Sequence, residues 1–322
     1  MQHITDAMID AYVTPEAALD VMTSAFSSFG RGDAAMQARI RTEAGGVKLS
    51  TLGAVIPQQG VAGAKVYTTI NGQFSFVILI FSSEDGRPLA SLDAGAITRL
   101  RTAACTTLAA QRLARAGART LALFGAGTQG AQHARQLSAT LGLERILVSD
   151  PHADAGMPER LAAQCGVPVA LADPDAAVAE ADIIVTASRA TTPLFSGAAI
   201  RPGAFVAAIG SSLPHTRELD DTALRRAAAV VVEWRPQSTR EAGDIVLAGP
   251  GALPPEKILE LADVVLGKVS PRQRDDDIVI YKSVGVGLED VALAGYAWSR
   301  IAGEADSRAG LTLAASTVSG KH

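Results

Sequence analysis

Three basic residues stand in surroundings that are otherwise apolar or structured: Arg41, Lys65 and Arg101. Lys65 lies in Val61-Ala-Gly-Ala-Lys-Val-Tyr67, a strand-like run of small residues. An ammonium enclosed there is costly unless an anion meets it. Arg101 falls in the first turns of a helical stretch, where a solvated arginine is the ordinary expectation. Taken singly, each cation is as readily structural as functional. Taken together they describe a clamp for a small carboxylate, with the arginines gripping it and the lysine placed to donate or steer a proton.

A second constellation is Thr120-Leu-Ala-Leu-Phe-Gly-Ala-Gly-Thr-Gln-Gly-Ala131. A short apolar strand enters a glycine turn and leaves as a helix, the place where a Rossmann fold grips a pyrophosphate. Gly125 permits the tight turn and Gly127 lets the backbone approach the phosphates. The amides of Thr128, Gln129 and Gly130 open a helix whose positive end faces them. Asp150 ends the next strand, 25 positions after Gly125. A carboxylate there can accept both hydroxyls of an adenosine ribose and repel a 2′-phosphate, which favours NAD; the competing reading is a strand-end cap tilted away by Pro151 and His152. Ser188 and Ser211 follow the fourth and fifth strands, where they can meet ribose or nicotinamide or simply leave room.

The elements that must position these groups fall into two sets. A helix starts at Thr14-Pro15-Glu16, with Thr14 as cap and Pro15 at the first helical position, and stops at Gly30. Strand-like pieces follow at 47–55, 63–69, 74–82 and 88–92, then a helix over about 96–116. From Arg119 the pattern becomes βαβ, with strands at 120–124, 145–149, 167–171, 182–186, 204–209 and 229–233. Their continuous aliphatic runs suit strands covered on both faces. The fold class is therefore α/β: a Rossmann-type doubly wound parallel sheet at 119–277, with a second domain at 1–116 completed by the C-terminal segment 285–322. After Pro250 the chain reads as helical again, with a helix over 285–303 returning to the first domain.

Composition narrows the function classes. With 322 residues, 48% hydrophobic residues, 30 glycines and 4% aromatics, the chain suits a glycine-turned α/β enzyme. A net charge of -4 gives no reason to expect nucleic acid. No 18-residue apolar run predicts a membrane span, so a cytoplasmic protein is expected. Cys105 and Cys165 read as two reduced, buried thiols. His133 suits a surface or packing role, and His215 is a minor candidate for substrate contact. Asp93 can orient Lys65 or an arginine, or cap a helix. Asp275-Asp276-Asp277 reads as a solvated loop, and no metal site is expected.

The order of these landmarks resembles the ornithine cyclodeaminase and mu-crystallin family. The matching residues are Arg41, Lys65 in Gly-Ala-Lys, Arg101-Thr-Ala-Ala104, Gly125-Ala-Gly-Thr-Gln129, Ile209-Gly-Ser-Ser-Leu-Pro214 with Arg217-Glu-Leu-Asp220, and Lys282-Ser-Val-Gly-Val-Gly-Leu-Glu-Asp290. The resemblance implies an α+β substrate-binding and dimerisation domain beside the nicotinamide-binding one, and a homodimer. It implies that Arg41, Lys65 and Arg101 surround a substrate carboxylate. Gly125, Gly127, Thr128 and Gln129 would hold the pyrophosphate and Asp150 the adenosine ribose. Ser188, Ile209 and the Ser283-Val-Gly285 segment would lie near the nicotinamide.

Ornithine cyclodeaminases carry a glutamate eleven residues after the first substrate arginine and an aspartate in the glycine-rich turn after the fifth strand. Here those positions are Leu52 and Ser212. Cyclodeamination is thereby disfavoured, and the expected reaction is reduction of a cyclic ketimine, 1-pyrroline-2-carboxylate or 1-piperideine-2-carboxylate, to L-proline or L-pipecolate with NADH or NADPH. Lys65 or an ordered water would mediate protonation. The alternatives are an alanine or other amino-acid dehydrogenase, an opine-type dehydrogenase, and a non-catalytic mu-crystallin-like binding protein.

Overall fold

The computed structural model describes residues 1–318; residues 319–322, the end of the segment expected to complete the first domain, lie outside the described residues. The architecture is α/β, built on two sheets. The first contains β1 (Gln2–Ile4), β2 (Ala35–Met36), β3 (Ile40–Ala44), β4 (Val47–Ile56), β5 (Val61–Ile70), β6 (Gln73–Ser82) and β7 (Pro88–Asp93). Its order is β1-β7-β6-β5-β4-β2, with β3 also paired to β4. The long antiparallel strands alternate faces. Leu52, Ala54, Ile56, Val61, Ile78 and Ile80 point inward and are buried, where the helix Gly287–Val318 packs on β4, β5 and β6. Lys65 shares that inward face, directly opposite Leu52 on one side and Ile78 on the other.

The second sheet contains β8 (Thr120–Phe124), β9 (Arg145–Ser149), β10 (Val169–Leu171), β11 (Ile183–Thr186), β12 (Phe205–Ala208), β13 (Ala227–Val232), β14 (Ile258–Glu260) and β15 (Ile278–Lys282). All its pairings are parallel, in the order β10-β9-β8-β11-β12-β15-β13-β14. The direction of travel reverses at β8, so the crevice beyond the carboxyl ends of β8 and β11 is where such a sheet receives a ligand.

Three expectations need correction. The helix that begins at Pro15, with the Thr14 hydroxyl accepting from the Ala17 amide at 3.2 Å, runs to Arg31 and is capped by left-handed Gly32 rather than stopped at Gly30. Gly30 instead packs against Ala262 and Leu266. The region after Pro250 is not simply helical: it supplies β14 and β15, and β15 enters the larger sheet between β12 and β13, just beyond the expected boundary at 277. A short apolar run without alternation reads equally as helix or buried strand. The last helix is also longer than 285–303.

Because β15 is an interior strand, its side chains should carry much of the sheet's stability. Ile280 is fully buried, whereas Leu171 on edge strand β10 is 52% exposed. Ile280→Ala is expected to cost roughly 2–5 kcal/mol in urea unfolding, and Leu171→Ala only about 0.5 kcal/mol.

Candidate active site

The carboxyl edge of the larger sheet opens into a crevice of about 910 Å³, lined by Gly125, Gly127, Asp150, His152, Ser188 and Arg189 among others. Gly125 has φ +87°, a conformation that strains a side chain. A Cβ at Gly127 would meet nothing within 4 Å, so the backbone there faces open space. The helix Thr128–Leu141 begins at Gly127 with no side-chain cap. Its unsatisfied amides and dipole therefore suit an anion. Gln129 lies against the other lobe, its amide donating to the Thr98 carbonyl at 3.5 Å.

Asp150 faces the same crevice, but both of its oxygens already accept backbone N–H groups: Ala126 at 2.8 Å and His152 at 2.8 Å. The side chain thus braces the glycine loop while its remaining lone pairs face the crevice. Ser188 lines the crevice too, yet its hydroxyl donates inward to Glu218 at 2.7 Å. Fully buried Glu218 also accepts from the Thr186 hydroxyl and from the amides of Ser188, Gly210 and Ser211. One carboxylate thereby fixes the loops after β11 and β12.

The structure does not bring every expected cofactor residue to an open surface. Ser211 is fully buried and donates to the Thr216 carbonyl at 2.7 Å. Ser283 is buried and donates to Glu233, which also accepts from the amides of Val284 and Gly285. Ile209 is half-buried, its amide bonded to the Thr186 carbonyl. Gly285, at φ +74°, leaves no room for a Cβ, which would sit 2.7 Å from the Arg101 guanidinium.

Between the two sheets lies a smaller cavity of about 200 Å³. Arg41, Lys65 and Arg101 all line it, joined by Arg39. Leu52 and Ser212 stand in the same wall. Tyr67, Phe74, Phe76 and Leu213 supply the apolar remainder.

Lys65 is 3% exposed, donates to the Thr98 hydroxyl at 2.6 Å, and pairs with Asp290 at 3.3 Å. Its ammonium also lies 4.7 Å from the centre of the Phe76 ring. Burial, helped by the like charges of Arg101 and Arg39 and opposed by Asp290, lowers its pKa to about 8. Arg101, expected to be solvated, is buried and bonds to Glu289 at 2.5 Å, with Asp290 3.3 Å from its Nε. Burial opposes its charge, but Asp290 and Glu289 more than offset this and raise its pKa. Burial also tends to raise Asp290, yet Lys65 and Arg101 hold it below the ordinary carboxylate range. Glu289 behaves differently: burial, reinforced by Glu233 and Asp290, pushes it up to about 8 against the pull of Arg101.

Arg41 and Arg39 share one carboxylate, Glu241, each at 2.5 Å. Arg39 and Glu241 escape a reading of single residues, but Arg39 is two positions before Arg41 on extended chain, and period-two spacing puts both on one face. The same spacing links Phe74 and Phe76 to inward-facing Ile78. Asp93 does not orient the cations; it accepts from the Asp6 amide and pairs with His3. Asp290 takes that role. His215 is exposed and lines neither cavity. His133 packs in the interior between the Gln129 carbonyl and the Thr106 hydroxyl, and burial lowers its pKa to about 4. Cys105 is buried but Cys165 only half-buried; both are free thiols. Asp275 and Asp276 are exposed, and no metal-binding cluster occurs among the described residues. No helix among them is long and apolar enough to cross a membrane.

A sequence model of the ornithine cyclodeaminase/mu-crystallin family matches residues 1–305. The chain belongs to that family. Among family relatives, a Delta(1)-pyrroline-2-carboxylate reductase of Bacillus cereus is 35% identical over 263 residues, 80% of this chain and 78% of that protein. A solved structure described as a probable ornithine cyclodeaminase from Bordetella pertussis Tohama I is 67% identical, with TM-score 0.93 over 94% of this chain and 98% of that one. The iminosuccinate reductase of Paracoccus denitrificans, solved in complex with NAD+, is 26% identical with TM-score 0.88 over 95% of this chain and 97% of that one.

The raised pKa of Glu289 has a signed consequence. Such an acid binds its proton more tightly folded than unfolded, so its favourable contribution is full below about pH 4.5 and is lost as pH rises through about 8. Glu289→Gln keeps the neutral shape and removes the titration. Urea unfolding should show the variant gaining stability relative to wild type between pH 5 and pH 9.

Proposed function

We propose that this chain reduces a cyclic ketimine carboxylate, 1-pyrroline-2-carboxylate or 1-piperideine-2-carboxylate, to L-proline or L-pipecolate with NADH or NADPH. The observation that carries this reading is the small cavity, where a cationic cluster faces apolar walls. A ring bearing one carboxylate matches both halves. Leu52 and Ser212 offer no carboxylate to pair with a side-chain ammonium, which argues against ornithine as substrate and hence against cyclodeamination. The similarity to a pyrroline-2-carboxylate reductase supports the same choice.

The glycine loop, the uncapped helix start and Asp150 fit a dinucleotide, which supplies a hydride when bound. Asp150 favours NADH by repelling a 2′-phosphate, while Arg189 brings an opposing cation to the same crevice. In this reading Gly125, Gly127, Thr128 and Gln129 receive the pyrophosphate. Ser188 and Ile209 border the nicotinamide end, whereas Ser211, Ser283 and Gly285 act from behind by fixing the loops. Arg41 and Arg101 hold the carboxylate. Lys65, kept charged by Asp290 and oriented by Thr98, delivers a proton to the ring nitrogen directly or through water as C2 accepts the hydride. Enclosure between the sheets fixes the approach and limits water.

The test is the initial rate of NADH and NADPH oxidation with each ring substrate, alongside pyruvate plus ammonia. Ammonia-independent turnover of a ring is expected; turnover only of pyruvate plus ammonia would identify an amino-acid dehydrogenase instead. Since Lys65 is protonated below about pH 8, kcat/KM should fall above that pH. Lys65→Met should cost roughly 10²–10⁴-fold.

The homodimer also belongs to this proposal. Ile40, Val47, Leu49, Val55, Ile70 and Phe81 are 39–53% exposed and share the outer face of the first sheet. A contiguous apolar face of this kind suits a second copy. Light scattering should give a dimer for wild type and a monomer for Leu49→Asp; a monomeric wild type would refute the assignment.

A further inference from the structure

Arg41 sits on β3, an edge strand whose other residues are exposed, and its guanidinium is fixed by a single carboxylate, that of Glu241 at 2.5 Å. Glu241 does not belong to the same sheet. It ends the helix Arg235–Glu241, which follows β13 of the larger one. Its second oxygen accepts from Arg39 at 2.5 Å and from the Gln237 side-chain amide at 3.0 Å. Arg39 in turn donates to the carbonyls of Val284 and Gly285 at 3.0 and 2.7 Å, on the turn that abuts Arg101. The Arg39 and Glu241 side chains are only 6% and 7% exposed, whereas Arg41 is 22% exposed and lines the cavity. Two arginines against one glutamate leave one positive charge, the complement of a single substrate carboxylate.

The same segment also reaches the cofactor side. Three residues on, Asp244 accepts from the amides of Glu218 and Leu219 at 2.7 and 2.9 Å and pairs with Lys282 at 3.0 Å. Between the two acids, Gly243 packs against the carbonyls of Leu213 and Thr216, in the loop that gives Ser212 and Leu213 to the cavity wall. We propose that Glu241 is the positioning residue for the substrate carboxylate: it acts through Arg41, aiming that guanidinium into the cavity only when the two lobes are packed together. This rests on the ketimine-reductase reading, and on Arg41 as a carboxylate ligand within it.

The test is a double-mutant cycle of Glu241→Gln and Arg41→Ala in the full-length protein, with Glu241→Asp as the conservative control. Steady-state kinetics with 1-pyrroline-2-carboxylate are paired with NADH binding by fluorescence and with binding of pyrrole-2-carboxylate, an unreactive ring carboxylate, to the NADH-loaded protein. Glu241→Gln should raise KM and weaken pyrrole-2-carboxylate binding about 10-fold or more, a loss on the scale of one charged hydrogen bond, with kcat and NADH affinity within about threefold. Glu241→Asp should recover part of the loss. In the Arg41→Ala background Glu241→Gln should add less than about threefold, because its target is gone. Undiminished carboxylate binding in Glu241→Gln, or an equal loss with and without Arg41, would overturn the proposal while leaving the ketimine reading intact. A variant that loses NADH binding as well would mark Glu241 as merely structural and also overturn it. If wild type neither turns over the ketimine nor binds pyrrole-2-carboxylate, the reading of the site fails, and this proposal with it.

Discussion

The burial of positive charge between the two sheets governs the rest of the site. Lys65, Arg101 and Arg39 are withdrawn from water at the junction of the lobes, and each would be expelled were no anion supplied from elsewhere in the chain. The anion Asp290 comes from the start of the last helix, where Glu289 beside it accepts from Arg101, and Glu241 comes from a helix of the larger sheet. The N-terminal half of the chain, through β5, the segment before β3 and the helix Gly95–Leu113, therefore brings cations whose partners come from distant segments. This dependence gives the junction its fixed geometry, because long charged side chains held by partners on two lobes have few alternative arrangements. It also divides roles: Glu241 and Glu289 hold their arginines from outside the cavity lining, while Asp290 shares the wall with the cations it pairs.

Much of the fold is legible from local pattern. The strands β8 and β9 have the boundaries that their aliphatic runs predict, because strands covered on both faces need continuous apolar sequence. The glycine loop is legible because its chemistry is confined to a few consecutive residues. Lys65 stands out because a cation in a strand-like apolar run is anomalous, whereas Arg41 and Arg101 gain their meaning only when taken together with it. The placement of β15 is not legible in this way. Its five residues look like any short apolar segment, and only the assembled sheet decides that they enter between β12 and β13.

The partners of the cations are hidden for a related reason. Glu241 is an acid at the end of a polar helix 200 positions from Arg41, and nothing local distinguishes it from a solvated glutamate. Asp93 is nearer in sequence to both Lys65 and Arg101, yet the pleat turns it to the opposite face, and Asp290 occupies the place. Ser211 and Ser283 show the converse error. Position at the carboxyl edge of a strand marks a residue for the crevice, but side-chain direction decides whether it lines that crevice or braces the loop behind it.

The late insertion of β15 bears on how the chain is made. Its hydrogen-bonding neighbours, β12 and β13, are complete by residue 232, but the strand that joins them ends at Lys282. During synthesis from the N-terminus the larger sheet cannot be closed between β12 and β13 until that segment emerges from the ribosome. When it docks, the residues immediately after it carry Ser283, Gly285 and then Glu289 and Asp290 into place. Closure of the sheet and delivery of the carboxyl partners of Lys65 and Arg101 to the lobe junction thus depend on one late-made segment of chain.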